Sequence, residues 1–126
     1  GLSFLPTLQV LRANHNRIES LRAPGGADSE ALIGLRGIPN LEVLQLGFNK
    51  ISDISALSLN VLPNLKILFL QGNEISQING LNECTELREL VLDKNKFRSL
   101  DHVHENTSGL INLRALRLEE NSIRTL

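Results

Sequence analysis

Leu65-Lys66-Ile67-Leu68-Phe69-Leu70-Gln71-Gly72-Asn73-Glu74-Ile75 is the stretch that decides the fold. It reads L-x-x-L-x-L-x-x-N-x-I. The same reading returns at residues 8–18, 41–51, 87–97 and 113–123, departing only at Ala13 and Phe97. Counted by their asparagines, Asn16, Asn49, Asn73, Asn95 and Asn121, the five copies follow one another at 33, 24, 22 and 26 residues. A period of that size marks a unit that cannot bury its apolar face alone and must stack on its neighbours to make one continuous core.

Within each copy, side chains alternate across a short extended segment, so leucines at the first, fourth and sixth positions point inward and the residues between them point out. The shortest unit then places Ile75, Ile78, Leu81, Cys84 and Leu87 at steps of three. That step suits the turn of a 3₁₀ return better than that of an α-helix. The expected architecture is an α/β solenoid, with a curved parallel β-sheet on the concave face and 3₁₀ or short helical turns on the convex face. The asparagine sits where the chain leaves the strand, and its amide, both donor and acceptor, is expected to pair backbone groups there. Residues beyond the basic unit read as insertions on the convex or lateral side. In the largest, around 22–37, Ala23-Pro24-Gly25-Gly26-Ala27-Asp28 interrupts regular structure and Ser29-Glu30-Ala31-Leu32-Ile33 can start a short helix. Smaller insertions are expected at 101–109 and near 58–61.

A length of 126 residues and an apolar content of 41% suit one domain, 1–126. Aromatics make up only 3%, and Trp, Tyr and Met are absent, so the core must be aliphatic with Phe supplying any large ring. A formal net charge of -1 removes the general attraction that a nucleic-acid binder or an anionic-membrane binder carries, and neither is expected as a partner. No apolar run is long enough to span a bilayer. Cys84 is the sole cysteine, so no disulfide forms within the chain, which points to a reducing compartment. The opening Gly1-Leu2-Ser3-Phe4 and the lack of methionine read as a segment of a longer protein, whose uncapped ends invite self-association.

The five segments resemble the intracellular leucine-rich repeats of about 22 residues, typified by a regulatory subunit of protein phosphatase 1, and the likeness covers nearly the whole chain. The resemblance implies a cytoplasmic scaffold for protein interaction, with the cilium as one setting, and offers no catalytic residues to carry over. The wide first spacing departs from a regular array. Since the defining residues are the buried ones, the pattern speaks for the fold and leaves the partner open.

Function is therefore sought among outward-pointing residues. One strand column is Val10, Val43, Ile67, Glu89 and Ala115, and the next is Arg12, Gln45, Phe69, Val91 and Arg117. Beyond the strands come Asn14, Gly47, Gln71, Asp93 and Glu119, then His15, Phe48, Gly72, Lys94 and Glu120. Val43, Ile67, Phe69 and Val91, with Phe48 close by, would make an apolar patch of the kind that marks contact sites, although a parallel sheet favours β-branched and aromatic residues on any face. The expected partner-binding set is Val10, Arg12, Val43, Gln45, Phe48, Ile67, Phe69, Val91, Lys94 and Arg117. A peptide or helix of another protein would lie across the apolar centre, with Arg12 and Arg117 pairing to acidic groups at the rim. Asp93, Glu119 and Glu120 lean one end of that rim negative, while Arg12, His15 and Arg17 lean the other positive. The alternative is a structural spacer in a longer solenoid, with the binding surface elsewhere.

No catalytic, cofactor or metal site is expected. His102 and His104 have a strand-like His-x-His spacing but lack a third ligand beyond Glu105 or Asp101, and they read as a solvated insertion loop. Cys84 occupies the apolar step-of-three series and reads as a buried, inert thiol. Asn106-Thr107-Ser108 fits the glycosylation acceptor pattern, which matters only in a secreted chain. Gly25-Gly26 precedes no strand-to-helix Gly-Lys-Ser/Thr element, so no phosphate cradle is expected.

Overall fold

Stacked repeats of this length should place one short strand per repeat side by side, and the computed structural model does so over residues 8–16, 38–57, 59–100 and 103–123, which are the residues it describes. The insertion at 22–37, with its expected helix start at Ser29, lies outside them, as do Arg17, Ile18, Ser58, Asp101, His102 and the first seven residues. Strands β1 (Val10–Arg12), β2 (Val43–Gln45), β3 (Ile67–Phe69), β4 (Glu89–Val91) and β5 (Ala115–Arg117) form one five-stranded parallel sheet in sequence order. The register is uniform: Leu11, Leu44, Leu68, Leu90 and Leu116 pair in one row, with the two outward columns on either side of it.

Behind the sheet the inward side chains make a single core. Leu44, Leu68 and Leu90 are fully buried, as are the first-position Leu41, Leu65 and Leu87 and the sixth-position Leu46, Leu70 and Leu92. At the two ends the same positions, Leu8, Leu11 and Ala13 on one side and Leu113, Leu116 and Leu118 on the other, are only partly buried against it, as is the eleventh-position Ile123. That gradient is what stacking requires, because an inward leucine is covered only when a repeat lies on each side.

The return path follows the step of three. Cys84 N–H donates to the Leu81 carbonyl (2.9 Å) and Leu87 N–H to the Cys84 carbonyl (3.1 Å), so the last two steps each close one i to i+3 turn. The extra residues of the preceding repeat form two 3₁₀ segments, Ile54–Leu57 and Leu59–Val61, which place Ile54, Leu57 and Leu59 in the core. The expected loop at 101–109 is corrected: it contains a one-turn helix, α1 (Val103–Thr107), which includes His104, while His102 lies outside the described residues. Its last residue is tied to its first by Thr107 Oγ1 donating to the Val103 carbonyl at 2.7 Å, and Val103 packs against the core. Burying that valine gives the insertion a reason to be helical.

The asparagines bind the stack together along a second line. Asn73 Nδ2 donates to Leu70 O in its own repeat (2.9 Å) and to Leu46 O in the preceding one (3.0 Å), while its Oδ1 accepts from Ile51 N–H (3.0 Å). Asn95 repeats the pattern on Leu92 O, Leu70 O and Ile75 N–H, and Asn121 on Leu118 O, Leu92 O and Phe97 N–H. Asn49, Asn73 and Asn95 are buried. Asn16, at the β1 end, is exposed and among the described residues bonds within its own repeat, to Ala13 O and Asn14 O.

Truncating an interior row member removes burial and opens a cavity, so Leu68→Ala is expected to cost about 2–5 kcal/mol. Asn73→Ala strands buried backbone groups of two repeats at about 1–3 kcal/mol each. Asn16→Ala serves as the exposed control and is expected to cost less than either. Urea unfolding followed by circular dichroism ranks the three.

Candidate binding face

The uniform register turns side-chain alternation into columns that run across the strands on the concave face. Val43, Ile67 and Phe69 are half-buried, Val91 is 7% exposed, and Val10 at the edge is 43% exposed. The apolar strip is therefore continuous from β1 to β4 and lies partly sunk among its own neighbours. Of the two arginines expected to reach a partner, Arg117 leans on Glu89 in the same face (Nε to Oε1, 3.4 Å), whereas Arg12 is exposed and has no ion pair among the described residues. Gln45 accepts from Asn14 Nδ2 (2.8 Å), and Asn14 Oδ1 in turn accepts from Gly47 N–H (2.7 Å). A side chain on Gly47 would meet the Gln71 amide, which lies over it at 2.7 Å from where a Cβ would stand.

One feature of this rim is not legible in the repeat pattern. The eighth position of every repeat has a left-handed backbone: His15 (φ 59), Phe48 (φ 57), Gly72 (φ 72), Lys94 (φ 56) and Glu120 (φ 57). The chain must turn sharply there so that the next residue, the asparagine, can tuck its amide under the strand end, and four L-residues accept a conformation that favours glycine. Gly72 alone advertises it. The bend also stacks the side chains of the column. The His15 and Phe48 rings lie parallel, 2° apart in plane with centroids 4.8 Å apart, and Lys94 Nζ stands 5.9 Å from the Phe48 centroid. Phe48 extends over Gly72 so closely that a Cβ there would be 2.4 Å from the ring. Phe48 is thus a fixed aromatic ledge, 39% exposed, beside the apolar strip. Lys94 is held from the other side by Glu120 at 3.9 Å.

Two further candidates take their places elsewhere. Cys84 is buried in the core, its thiol 3.7 Å from the Leu59 carbonyl, and burial, with Glu83 adding a smaller push, raises its pKa from 9.0 to about 11. A thiol held protonated at neutral pH is a poor nucleophile. Among the described residues no group of three His, Cys, Asp or Glu side chains gathers where a metal could be held, and no helix is long and apolar enough to cross a membrane.

A sequence profile of the family described as Leucine Rich repeats (2 copies) matches residues 6–59, 39–83 and 63–104. Among solved structures, an internalin of Listeria monocytogenes is similar at 32% identity and a TM-score of 0.68 over 93% of this chain. A leucine-rich repeat protein of Leptospira interrogans (24%, TM-score 0.67, over 92%) and internalin C2 of Listeria monocytogenes (24%, TM-score 0.61, over 94%) share the fold. The chain spans 30%, 26% and 65% of the lengths of these three.

Gly72→Ala is expected to destabilise the chain by about 1–2 kcal/mol for the left-handed backbone alone. The added Cβ also displaces the Phe48 ring, which an upfield shift of the His15 ring protons, present in the parent and lost in the variant, would reveal by NMR. Cys84 gives a pH signature. The unfolded thiol ionises near 9.0 while the folded one keeps its proton to about 11, so stability from this group is intact below pH 9 and declines between those values. Unfolding curves across that window are expected to fall more steeply for the parent chain than for Cys84→Ala.

Proposed function

Because the chain belongs to the leucine-rich repeat family, whose domains generally mediate protein–protein interaction, we propose that it is a non-enzymatic binding module that holds another protein on its concave face. The observation that carries this reading is the strip of Val43, Ile67, Phe69 and Val91 flanked by the Phe48 ledge. Propensity accounts for β-branched residues on a sheet, but it does not account for an aromatic ring fixed in a left-handed backbone with more than a third of its surface in water. Aromatic side chains already ordered in the free protein lose little entropy on binding and are frequent anchors of interfaces. Val10, Arg12, Gln45, Lys94 and Arg117 surround the strip as its polar and edge contacts.

A second reading, a spacer within a longer solenoid, is favoured by the half-buried Leu113, Leu116, Leu118 and Ile123 at the β5 end, which a further repeat or a second copy would cover. As part of the proposal we place the chain in the cytoplasm, with the cilium as one setting, on the resemblance of Leu68-Phe69-Leu70-Gln71-Gly72-Asn73-Glu74-Ile75-Ser76 and of Leu116-Arg117-Leu118-Glu119-Glu120-Asn121 to leucine-rich repeat-containing protein 9.

The double substitution Ile67→Glu and Phe69→Glu places two charges on the strip without touching the inward leucines. It is expected to abolish crosslinking to the proteins that the parent chain captures in cells, while circular dichroism stays unchanged. Capture that persists in the folded double variant would place the binding surface elsewhere and favour the spacer.

A further inference from the structure

The concave face also constrains what kind of segment can lie on it. Hydrogen bonds of a sheet run in its plane from strand to strand, so this face offers side chains and no backbone partners. An extended segment laid over the apolar strip would leave its own N–H and C=O groups unpaired, at a cost, whereas a helix satisfies its backbone internally. The dimensions agree. Five strands at about 4.8 Å spacing span about 19 Å, which a helix covers in about 13 residues.

Charge then sets the direction. At the β1 end stand Arg12, exposed and without an ion pair among the described residues, and His15, with no carboxylate beside them in the outward columns. At the β5 end the rim beyond the strands carries Asp93, Glu119 and Glu120 against the single ammonium of Lys94, and Arg117 is drawn to Glu89. The opposite rim at that end leans positive: Arg88 and Arg114 are exposed neighbours joined by Arg114 N–H to the Arg88 carbonyl (2.8 Å), against the one carboxylate of Glu86, which lines the same recess as Arg88. The face is therefore charged at three corners around an apolar middle.

Resting on the concave-face reading, we propose that its occupant is one amphipathic helix of a partner protein, laid across the strands with an acidic end over Arg12 and a basic end over Glu119 and Glu120. The positive corner at Arg88 and Arg114 takes an acidic flank and fixes which side of the helix faces which rim. Such pairs at a rim set orientation and encounter rate, and the apolar stripe supplies the affinity.

The test uses two stapled helical peptides of one composition as probes. Both carry a leucine stripe at i, i+3, i+4 and i+7; one has its Glu and Lys residues segregated to opposite ends, and the other has them mixed. By fluorescence anisotropy at low salt, the segregated peptide is expected to bind about ten-fold tighter, an advantage that shrinks as salt is added. Arg12→Glu is expected to erase that advantage. A photo-crosslinking group on the acidic end is expected to label the β1–β2 end of the parent chain, and the β4–β5 end of the triple variant Arg12→Glu, Glu119→Lys and Glu120→Lys. Equal affinity for the two peptides, no binding of either, or acidic-end labelling near β5 in the parent would overturn the proposal. Phe69→Glu separates the two levels. Peptide binding that survives it sinks the concave-face reading itself, whereas binding that is lost with it but ignores charge order sinks only the polarity.

Discussion

The structure depends on one shared interaction, the side-chain amide of an asparagine that serves two repeats at once. The amides of Asn73, Asn95 and Asn121 each donate to a carbonyl of their own strand end and to the corresponding carbonyl of the repeat before, and accept an N–H from that same earlier repeat. A leucine interior alone would be tolerant of slippage, because apolar contact is non-directional. The amide is not tolerant: it bonds only when successive turns sit at one height. Burial of Asn49, Asn73 and Asn95 makes the bonds obligatory, since the groups they pair have no water to fall back on. The uniform register of the five strands is the visible result.

The same constraint shapes the proposed binding surface. To bring the amide under the strand, the residue before it adopts a left-handed backbone, and this aims the eighth-position side chains into a column along the rim. His15, Phe48, Gly72 and Lys94 are thereby packed against one another across repeats, each by a neighbour fixed in the same way. Architecture and surface are coupled. Residues free of the repeat pattern in identity are held by it in position, which gives an exposed ring or cation the rigidity that a loop would not.

Much of this was legible in the sequence, and the physical reason is the strictness of the period. The leucine columns, the outward columns and the asparagine bonds follow from where a residue falls in an eleven-letter pattern, and the i to i+3 returns through Leu81 and Cys84 follow from the step of three between two such segments. What escaped were features set by neighbours rather than by position. The left-handed column was hidden because only Gly72 bears the residue type that signals it, while His15, Phe48, Lys94 and Glu120 give no local sign. The helix at Val103–Thr107 leaves no mark in the sequence because five residues are too few to show helical periodicity, and the contact that orders it is a single valine on the core. The pairing of Arg117 with Glu89 required knowing that adjacent columns of adjacent strands meet.

The shared amide is tested most directly by native-state hydrogen exchange at three backbone N–H groups that belong to no strand. Ile51, Ile75 and Phe97 each donate to the asparagine of the following repeat. If those bonds hold the stack, the three amides exchange as slowly as those of Leu68 and Leu90 in the sheet and open only with global unfolding. Exchange at the rate of an open turn, with the strands still protected, would contradict the account.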